Sequence, residues 1–594
     1  MGRKRRRVER LDPSGQRRLG FEEAVMGERP EGERAAEALS EQWFLADDPR
    51  GLRVQEQPLS QYLLERGLNW VVNLRTTLEA MDFGALTRNY SARGRCALHP
   101  RTMLGLIIYG MLRRQWSLRE LEMLAQCDAG AWLICGGHQP DHSTIGKFIQ
   151  LHGAVLSEEF FADLVKQLAS KLKLRAGVAA VDGTVIEAAA SRFKLLRAEA
   201  ARAAAEQAAG AAAEHPQECE LAEKARLAQA AVTAAEERDA RRSAAGLQGK
   251  IKVAPAEPEA VYQPRKDGVR CASYKPSVLV EQSAYEDESG TVKVQLIVAQ
   301  GVHPSSEPAL FNRLLDQHKA GLGCDPTTVL ADSGYASLTI FADAYQRELD
   351  LLCPTGRARG TEDWAKAGKQ GKFGKAAFGY DPVLDLYRCP AGRELLPEQR
   401  HNTDRGQRSY VRYKGVACQD CPLRAQCTKS KGARTLKRYT NEEFKEGMLE
   451  VMAQPGARAR YRLRGAIVER IFAELRERQG LKRFHRRGLW AVRAEFALHC
   501  IAFNLKQAAA CLRLTLWSFC VRINDAGGSQ YPQFVVLIVM EMDLFRHDSH
   551  DSLPRRLLST VSMMGEVAGR CGPRVWDLER KSAPRRRSNP AIIP

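Results

Sequence analysis

The chain has 594 residues, of which 44% are hydrophobic and 27% are charged, as is usual for soluble folded proteins. This composition excludes a wholly disordered chain, and the length predicts more than one domain. The 90 Lys and Arg residues outnumber the 71 Asp and Glu residues, which leaves a net charge of +19. That excess favours a polyanionic partner such as nucleic acid, with a generally basic protein as the alternative.

Residues 1–57 are polar and basic and are predicted to form a flexible arm. The dense run Arg3–Arg7 either tracks phosphates or is a solvated tail without a specific role. No apolar signal segment follows it, and the longest late apolar run, Phe534–Met540, is too short to cross a bilayer. We therefore expect a cytoplasmic protein that has no membrane partner.

Residues 58–170 are predicted to form an all-α, DNA-binding N-terminal domain. Leu residues recur at helical spacing between 104 and 124, and Ser117-Leu-Arg-Glu120 fits a capping box. Pro140-Asp-His-Ser-Thr144 resembles a second helix start. The region could hold a helix-turn-helix-like reader of DNA. Trp116 then either contacts DNA or, as its spacing favours, fills the core.

From residue 171 the pattern changes to short strands. Gly177–Ile186 is Val-rich and predicts a buried strand that contains Asp182. The segments Val278–Val280 and Val292–Val298 flank a turn and predict a hairpin. Thr327–Gly334 predicts a further strand that ends in Asp332, and Leu351–Cys353 predicts a fifth.

Two segments of this region are predicted to be insertions. Residues 195–250 are Ala-rich and predict a helical excursion that breaks near His215-Pro216. Residues 356–445 are rich in Gly, Lys and Arg and predict a β insertion that contains a cysteine cluster. Residues 171–510 would otherwise form one α/β domain, and residues 511–594 an atypical C-terminal tail.

Asp182 and Asp332 share one context, because each stands at the carboxyl end of an apolar strand. Burial of an unpaired carboxylate is costly, so such residues usually have a cation as partner. Mg²⁺ suits a site with few carboxylates that also binds substrate phosphates. The alternative is that both aspartates are turn caps, and two in one context weaken that alternative.

A third acidic candidate, Glu469, lies in Tyr461-Arg-Leu-Arg-Gly-Ala-Ile-Val-Glu-Arg-Ile-Phe-Ala-Glu-Leu-Arg476. Its apolar residues are spaced four apart, which predicts a helix. Glu469 and Arg476 are two helical turns apart and share a face, where they could hold a metal ion and a phosphate. Taken alone, this segment could equally present a solvated charged face.

These motifs together resemble those of bacterial insertion-sequence transposases of the DDE type, in the branch that has an InsH-like N-terminal helical domain. The aspartate motifs appear as Val181-Asp-Gly-Thr184 and Ala331-Asp-Ser-Gly-Tyr335. The Y-R-E-K signature appears as Tyr461, Arg464, Glu469 and Arg476, with one extra residue before the Glu and Arg in place of Lys. The likeness spans about residues 60–507.

The resemblance implies an RNase H-like catalytic domain preceded by the all-α domain. Asp182, Asp332 and Glu469 would bind two Mg²⁺ (or Mn²⁺) ions, with Asp182 bridging both. The reaction would be hydrolysis and strand transfer at the inverted-repeat ends of an element, without a covalent protein–DNA intermediate. The partners would be double-stranded DNA of the element ends and of the target, and a second copy in the synaptic complex. The protein would be nucleoid-associated in a bacterial cell.

Four cysteines cluster in the β insertion: Cys389, Cys418, Cys421 and Cys427. Two residues separate Cys418 from Cys421, a spacing that lets both thiolates reach one tetrahedral ion. Turn residues and basic groups surround them, which is typical of a small ribbon held by Zn²⁺. Unmetallated thiols in a β insertion remain the alternative.

A basic cluster follows the proposed catalytic Glu and is predicted to contact a DNA end, together with the Tyr and Arg residues of the signature. The predicted DNA-binding residues are Tyr461, Arg464, Arg476, Lys482, Arg483, Arg486 and Arg487. Two other functions stay open at this point. One is a catalytically inactive, transposase-derived DNA-binding protein, and the other is an RNase H-like nuclease without strand transfer.

Overall fold

The computed structural model describes residues 43–90, 95–240, 250–265, 268–287, 290–355, 372–402 and 409–511. The basic run Arg3–Arg7 and the tail after Cys511 lie outside the described residues, so the predictions made for them are not addressed by the structure. All described residues belong to one compact unit. No helix in these ranges is long and apolar enough to cross a membrane.

The first part of the described chain is a helical region behind a short hairpin. Its elements are β1 (Arg53–Val54), β2 (Gln57–Pro58), α1 (Leu59–Glu65), α2 (Asn69–Glu79), α3 (Gly84–Thr87), α4 (Pro100–Leu112), α5 (Leu118–Cys127), α6 (Ala129–Cys135), α7 (His142–Ser157) and α8 (Glu159–Lys171). Their apolar faces form one continuous core with the central sheet.

Local sequence explains where several of these helices begin. Ser117 accepts a hydrogen bond from the Glu120 backbone amide, and the Glu120 side chain accepts one from that of Ser117, so the predicted capping box is confirmed. Asp141 caps α7 by accepting from the Thr144 amide at 2.7 Å. The second predicted helix start is therefore also confirmed.

Residues 43–57, which the prediction included in the flexible arm, pack against these helices instead. Phe44 is buried, and Asp47 forms ion pairs with Arg75 at 2.6 Å and with Arg101 at 3.2 Å. The charge of Asp47 is thus neutralised by arginines of other elements. Composition could not reveal this, because the partners lie 28 and 54 residues away.

The next part of the chain builds the central sheet and the helical insertion. Its elements are β3 (Val178–Gly183), β4 (Ile186–Glu187), β5 (Leu196–Arg197), α9 (Ala198–Glu214), α10 (Cys219–Ala240), β6 (Lys252–Val253), β7 (Val261–Pro264), β8 (Arg270–Asp287), β9 (Gly290–His303), α11 (Phe311–Leu322), β10 (Thr328–Leu330), α12 (Leu338–Gln346) and β11 (Asp350–Leu352).

The main strands of this mixed sheet lie in the order β9-β8-β3-β10-β11. The long hairpin β8–β9 is antiparallel to β3, whereas β10 and β11 run parallel to β3. The carboxyl ends of β3 and β10 therefore meet at one edge of the sheet. The buried apolar residues of β3 and β10 fit strands that are covered on both faces.

The Ala-rich insertion is a two-helix hairpin, as the sequence predicted. α9 and α10 pack through small buried residues, chiefly Ala201, Ala231 and Ala235, in a core of their own. The break falls at His215-Pro216, and β5 pairs with β6 at the base of the hairpin. Alanine suits a closely packed helix pair because it has high helix propensity and its small side chain allows close helix contact.

The remaining described residues form a second sheet and the C-terminal helices. The elements are β12 (Gly379–Asp381), β13 (Leu386–Arg388), β14 (Glu394–His401), β15 (Tyr410–Gly415), α13 (Arg424–Cys427), β16 (Thr435–Tyr439), α14 (Glu442–Ala453), α15 (Pro455–Tyr461), α16 (Leu463–Ala473) and α17 (Leu489–Cys511). The five strands are antiparallel in chain order. α16 packs on β3 and β8, and α17 packs on β9 and α7.

Candidate active site

Asp182 is the next-to-last residue of β3, whose preceding residues Ala179–Val181 are fully buried. Its side chain is only 13% exposed, and its Oδ1 accepts a hydrogen bond from the Gly183 amide at 2.9 Å. The apolar strand thus delivers a carboxylate to the edge of the sheet, where it is shielded from water and requires a positive partner.

Asp332 follows β10 by two residues and begins a 3₁₀ turn at Ser333–Tyr335. Its Oδ1 accepts from the Gly334 amide at 2.8 Å, and a Cβ at Gly334 would stand only 2.8 Å from that oxygen. β10 pairs in register with β3, Leu330 opposite Ala180. Two residues further along each strand, Asp332 and Asp182 therefore leave the sheet side by side.

Arg464, on α16, joins the two aspartates. Its Nη2 is 2.8 Å from Asp182 Oδ1 and 4.0 Å from Asp332 Oδ2, and its side chain is 15% exposed. Arg464, predicted as a DNA-binding residue, is thus placed between the two carboxylates, where its charge offsets their repulsion. Tyr461 lies beside this group, and burial raises the pKa of its hydroxyl.

Glu469, the third predicted carboxylate, is on the same helix but is exposed. Its Oε1 folds back towards Gly465, 3.5 Å from where a Cβ would be. Among the described residues its carboxylate has neither a hydrogen bond nor an ion pair. The structure therefore brings Asp182 and Asp332 together and leaves Glu469 on the neighbouring helix.

Glu307 is an acidic residue that sequence reasoning missed. It follows β9, directly before the 3₁₀ turn Pro308–Leu310, and its Cγ lies 2.5 Å from the position of a Cβ on Gly183. Burial raises the pKa of its carboxyl, the nearby Lys275 lowers it, and the charges of Asp182 and Asp332 raise it further. No local pattern signals this position, because only the return of the β8–β9 hairpin brings it to the aspartates.

Arg476 lies in a π-helical turn, Glu474–Arg478, that directly continues α16. Its guanidinium donates to the Thr184 hydroxyl and, at 3.4 Å, to the Val185 carbonyl. The wider turn shifts the phase of the helix and directs Arg476 to the loop after Asp182. The two-turn spacing assumed from the sequence does not hold here, because a π turn lies within the segment.

The basic cluster after Glu469 is only partly available to a ligand. Arg483 donates to the carbonyls of Ala188–Ala190, and Lys482 pairs with Glu477 at 2.8 Å. The backbone amide of Arg486 donates to buried Glu495, which orders the loop. Lys482 and Arg487 are exposed, and Arg486 is half-buried.

The four clustered cysteines line one small cavity beside the second sheet. Cys389 Sγ accepts from the Arg393 amide at 3.3 Å, and Cys418 Sγ lies against Gly415, where only a glycine leaves room for it. Burial raises the pKa of the Cys427 thiol, and the other three cysteines add to that rise. In the described ranges, however, no group of three or more His, Cys, Asp or Glu side chains is arranged to hold a metal ion.

Fold and site together define a mixed α/β protein that presents paired carboxylates at the ends of adjacent parallel strands. Comparison with protein families adds two matches: a Transposase DDE domain over residues 388–509 and a Transposase domain (DUF772) over residues 60–151. No curated protein matches the chain. These two segments of the chain are thus similar to transposase domains, as the motifs had indicated. The DDE match begins at residue 388, so it includes Glu469 but neither Asp182 nor Asp332.

Proposed function

We propose that this chain is an active DNA transposase that cuts the ends of an insertion sequence and joins them to target DNA. The observation that carries the proposal is the placement of Asp182 and Asp332 side by side at the carboxyl ends of two parallel strands, with Arg464 between them. The strand order supports an RNase H-like catalytic domain, in which the first strand carries one aspartate and the fourth leads to the second.

The oxygen-rich edge of the sheet fits a hard divalent cation such as Mg²⁺ or Mn²⁺. The guanidinium between the aspartates supports this assignment, because it marks a position that demands positive charge. Asp182, Asp332 and Glu469 would hold the ions. When bound, such ions activate the attacking oxygen and stabilise the leaving oxygen in phosphoryl transfer.

The protein's own side chains would position DNA at this edge. Arg464 would leave the aspartates and bind a phosphate, since a guanidinium suits either anion. Arg476 would hold the strand next to Thr184, and Tyr461 would pack beside it. The basic cluster Lys482, Arg483, Arg486 and Arg487 would contact the DNA end, and all of these residues except Arg486 are exposed. A second copy of the chain would supply the partner end in a synaptic dimer.

Asp182→Asn provides the direct test. We expect Mg²⁺-dependent cleavage of element-end DNA to fall to background while DNA binding persists, because the variant loses a ligand charge and keeps its shape. Asp316→Asn, an exposed Asp paired with Arg347, is the matched control and should cleave normally. Cleavage by Asp182→Asn at the wild-type rate would refute the site.

The DNA products of the wild-type chain distinguish the proposed transposase from the two alternative functions. Joined DNA molecules indicate a transposase, whereas nicks without joining indicate an RNase H-like nuclease. Mg²⁺-independent DNA binding with no cleavage by the wild-type chain indicates an inactive, transposase-derived binding protein.

The cysteines Cys389, Cys418, Cys421 and Cys427 would hold a structural Zn²⁺ ion. Their shared cavity and the amide-to-sulfur hydrogen bond to Cys389 support this assignment, since such bonds stabilise thiolates. We expect close to one equivalent of zinc in purified protein, and we expect Cys421→Ser to lower it. A content below about a tenth of an equivalent would contradict the zinc site and favour free thiols.

A further inference from the structure

The second sheet, β12–β16, has two unlike faces, because side chains alternate between the faces along each strand. On the inner face, Leu395 of β14, Tyr413 of β15 and Leu436 of β16 are buried in a small core. The opposite face, here called the outer face, carries residues that are exposed or half-buried: His401, Tyr410, Arg412, Lys414, Lys437 and Tyr439. A hydrophobic core therefore explains the inner face only.

Three aromatic rings lie side by side on the outer face. His401 is opposite Tyr410 in the strand register, and Tyr410 is opposite Tyr439. The ring centroids of His401 and Tyr410 are 4.5 Å apart, and those of Tyr410 and Tyr439 are 5.6 Å apart. Among the described residues, the hydroxyls of Tyr410 and Tyr439 have no hydrogen-bond partner, and neither hydroxyl is buried. Two hydroxyl donors are therefore accessible on neighbouring strands.

A group of cations lies beside the rings. Arg412 is opposite Lys437, and Lys414 is two residues further along β15, on the same face. One carboxylate, that of Glu398, pairs with Arg412 at 2.8 Å and with Lys414 at 2.7 Å. Lys437 forms no ion pair with any described residue, and its Nζ lies 4.3 Å from the centre of the Tyr410 ring. Three cations therefore share one anion, which leaves this face positively charged.

A solvated polar face is the usual state of an antiparallel sheet that covers a core on one side. Two features distinguish the outer face from that state: its charges are unbalanced, and its row of rings belongs to neither of the adjoining hydrophobic cores. Rings interleaved with cations are typical of surfaces that bind nucleic acid. Leu396 is the one large aliphatic residue that the described outer face exposes, which is too little apolar surface for a stable protein interface.

The arrangement of the rings favours the DNA backbone over unpaired bases. A base stacks on the open face of an aromatic ring. The Tyr410 ring already has the His401 ring stacked on it and the Lys437 ammonium over it, so little of its face is free. Hydroxyls and cations remain, and these are the groups that contact phosphates.

We propose that the outer face of the second sheet binds the phosphate backbone of duplex DNA, as a contact separate from the candidate active site. Arg412, Lys414 and Lys437 supply the charge, and Tyr410 and Tyr439 donate hydrogen bonds to phosphate oxygens. The proposal rests on the proposed function, because it takes DNA as the substrate, and it gives the β insertion a part in holding that DNA. Binding at this face is independent of base sequence, since phosphates carry no sequence information.

The test is the salt dependence of duplex binding by the full chain, measured by fluorescence anisotropy without Mg²⁺ so that no cleavage occurs. The logarithm of the association constant falls with that of the salt concentration, with a slope of about 0.9 per phosphate contact. We expect Lys414→Gln combined with Lys437→Gln to make this slope less steep by about 2 and to weaken binding about tenfold or more at about 0.1 M salt. The matched control is Lys224→Gln combined with Lys319→Gln, which removes two exposed lysines of other elements and should keep the wild-type slope.

Tyr410→Phe combined with Tyr439→Phe keeps the rings and removes the hydroxyls. We expect binding to weaken about fivefold with an unchanged salt slope, because a hydroxyl donates a hydrogen bond to phosphate and releases no counterion. If single-stranded DNA of equal length binds more tightly than the duplex and loses this advantage in the lysine variant, the face binds unpaired bases and the proposal is overturned. A change in dimerisation of the lysine variant at unchanged duplex affinity would assign the face to a second copy and would also overturn it.

The lysine variant also separates this proposal from the proposed function. If it binds duplex DNA with the wild-type affinity and slope, while the wild type cleaves element ends and Asp182→Asn does not, the outer-face contact is overturned and the proposed function stands. If the wild type does not bind duplex DNA, both are overturned. Circular dichroism checks folding. Should the lysine variant not fold, Lys437→Gln alone decides, and an unchanged salt slope then overturns the proposal.

Discussion

The guanidinium of Arg464 lies between two carboxylates that would otherwise repel each other. At such short range, like charges in a partly buried site raise each other's pKa, and an opposite charge reverses this effect. Arg464 thus supplies the positive charge that these two carboxylates share. Replacement by Lys would keep the charge but lose the planar guanidinium, whose Nη2 contacts both aspartates.

A buried carboxyl at Glu257 links folding to pH. Burial raises its pKa to about 7, although Tyr274 and the amides of Ala190 and Gly488 bind it and oppose that rise. The folded state therefore keeps a proton that the unfolded state releases above its ordinary pKa. Stability from this group is present at low pH and is lost as the pH rises from about 4.5 to about 7.

Glu257→Gln stays neutral at every pH. We therefore expect its free energy of unfolding, relative to that of the wild type, to be about 3 kcal/mol higher at pH 8 than at pH 4.5. Urea unfolding of both proteins at the two pH values measures this. Buried His152 and His499, whose pKa values burial lowers to about 4, act in the opposite direction. They are common to both proteins and cancel in the difference. An equal stability difference at both pH values would contradict the prediction.

At the scale of elements, packing decides where a helical glycine is needed. Gly110 lies in α4, where a Cβ would stand 2.6 Å from the Gln115 carbonyl oxygen, so the turn into α5 requires glycine. Gly210 lies in exposed α9, and a Cβ there would meet nothing within 4 Å. Glycine is therefore required at position 110 in α4, whereas at position 210 in α9 it only lowers helix stability.

Substitution by alanine should have opposite effects at these two positions. Gly210→Ala should raise the free energy of unfolding of the helical hairpin by about 1 kcal/mol, because alanine is the better helix former. Gly110→Ala should lower stability by about 1–3 kcal/mol, because the backbone must move to accept the methyl group. Circular dichroism during urea unfolding measures both. Stabilisation by both variants would contradict this prediction, because helix propensity alone would then determine the effect on stability.

At the scale of the whole molecule, the N-terminal helices contact the segment that follows α16, next to the candidate site. Trp116 packs on Gly480, whose φ of +76° favours glycine, and stacks on His485 with ring centroids 4.8 Å apart. Arg114 donates to the carbonyls of Glu477 and Arg478. These contacts hold the π turn and the loop that carries the basic cluster, here called the basic loop, against the helical region. Trp116 therefore has the packing role that its spacing favoured.

Trp116→Ala should accordingly destabilise the chain and loosen the basic loop. We expect a loss of about 2 kcal/mol, below the roughly 3–5 kcal/mol of a fully buried Trp, because this side chain is only partly buried. Phe193→Ala is the control, since Phe193 is 96% exposed and should change stability by less than about 0.5 kcal/mol. Thermal unfolding measures both, and a normal melting temperature for Trp116→Ala would contradict the role of this junction.

The sequence predicted those parts of the chain that have periodic apolar residues or characteristic capping residues. The capping box at Ser117, the cap at Asp141 and the helical hairpin broken at Pro216 depend on neighbouring residues, so local patterns predict them. β8 and β9 are longer than the predicted strands, because pairing in a hairpin extends beyond the Val-rich segments. The two aspartates were found because each follows an apolar strand.

Sequence by itself thus determined which strands end in carboxylates, which helices have marked starts and which family the motifs resemble. Only the tertiary structure decided that Arg464 separates the aspartates, that Arg476 turns towards Thr184 and that Glu307 joins the pair. Each of these contacts links residues more than 100 positions apart. The physical reason is that local patterns record propensity and burial, whereas the position of a charge at an edge of the sheet depends on strand register and on how the helices pack against it.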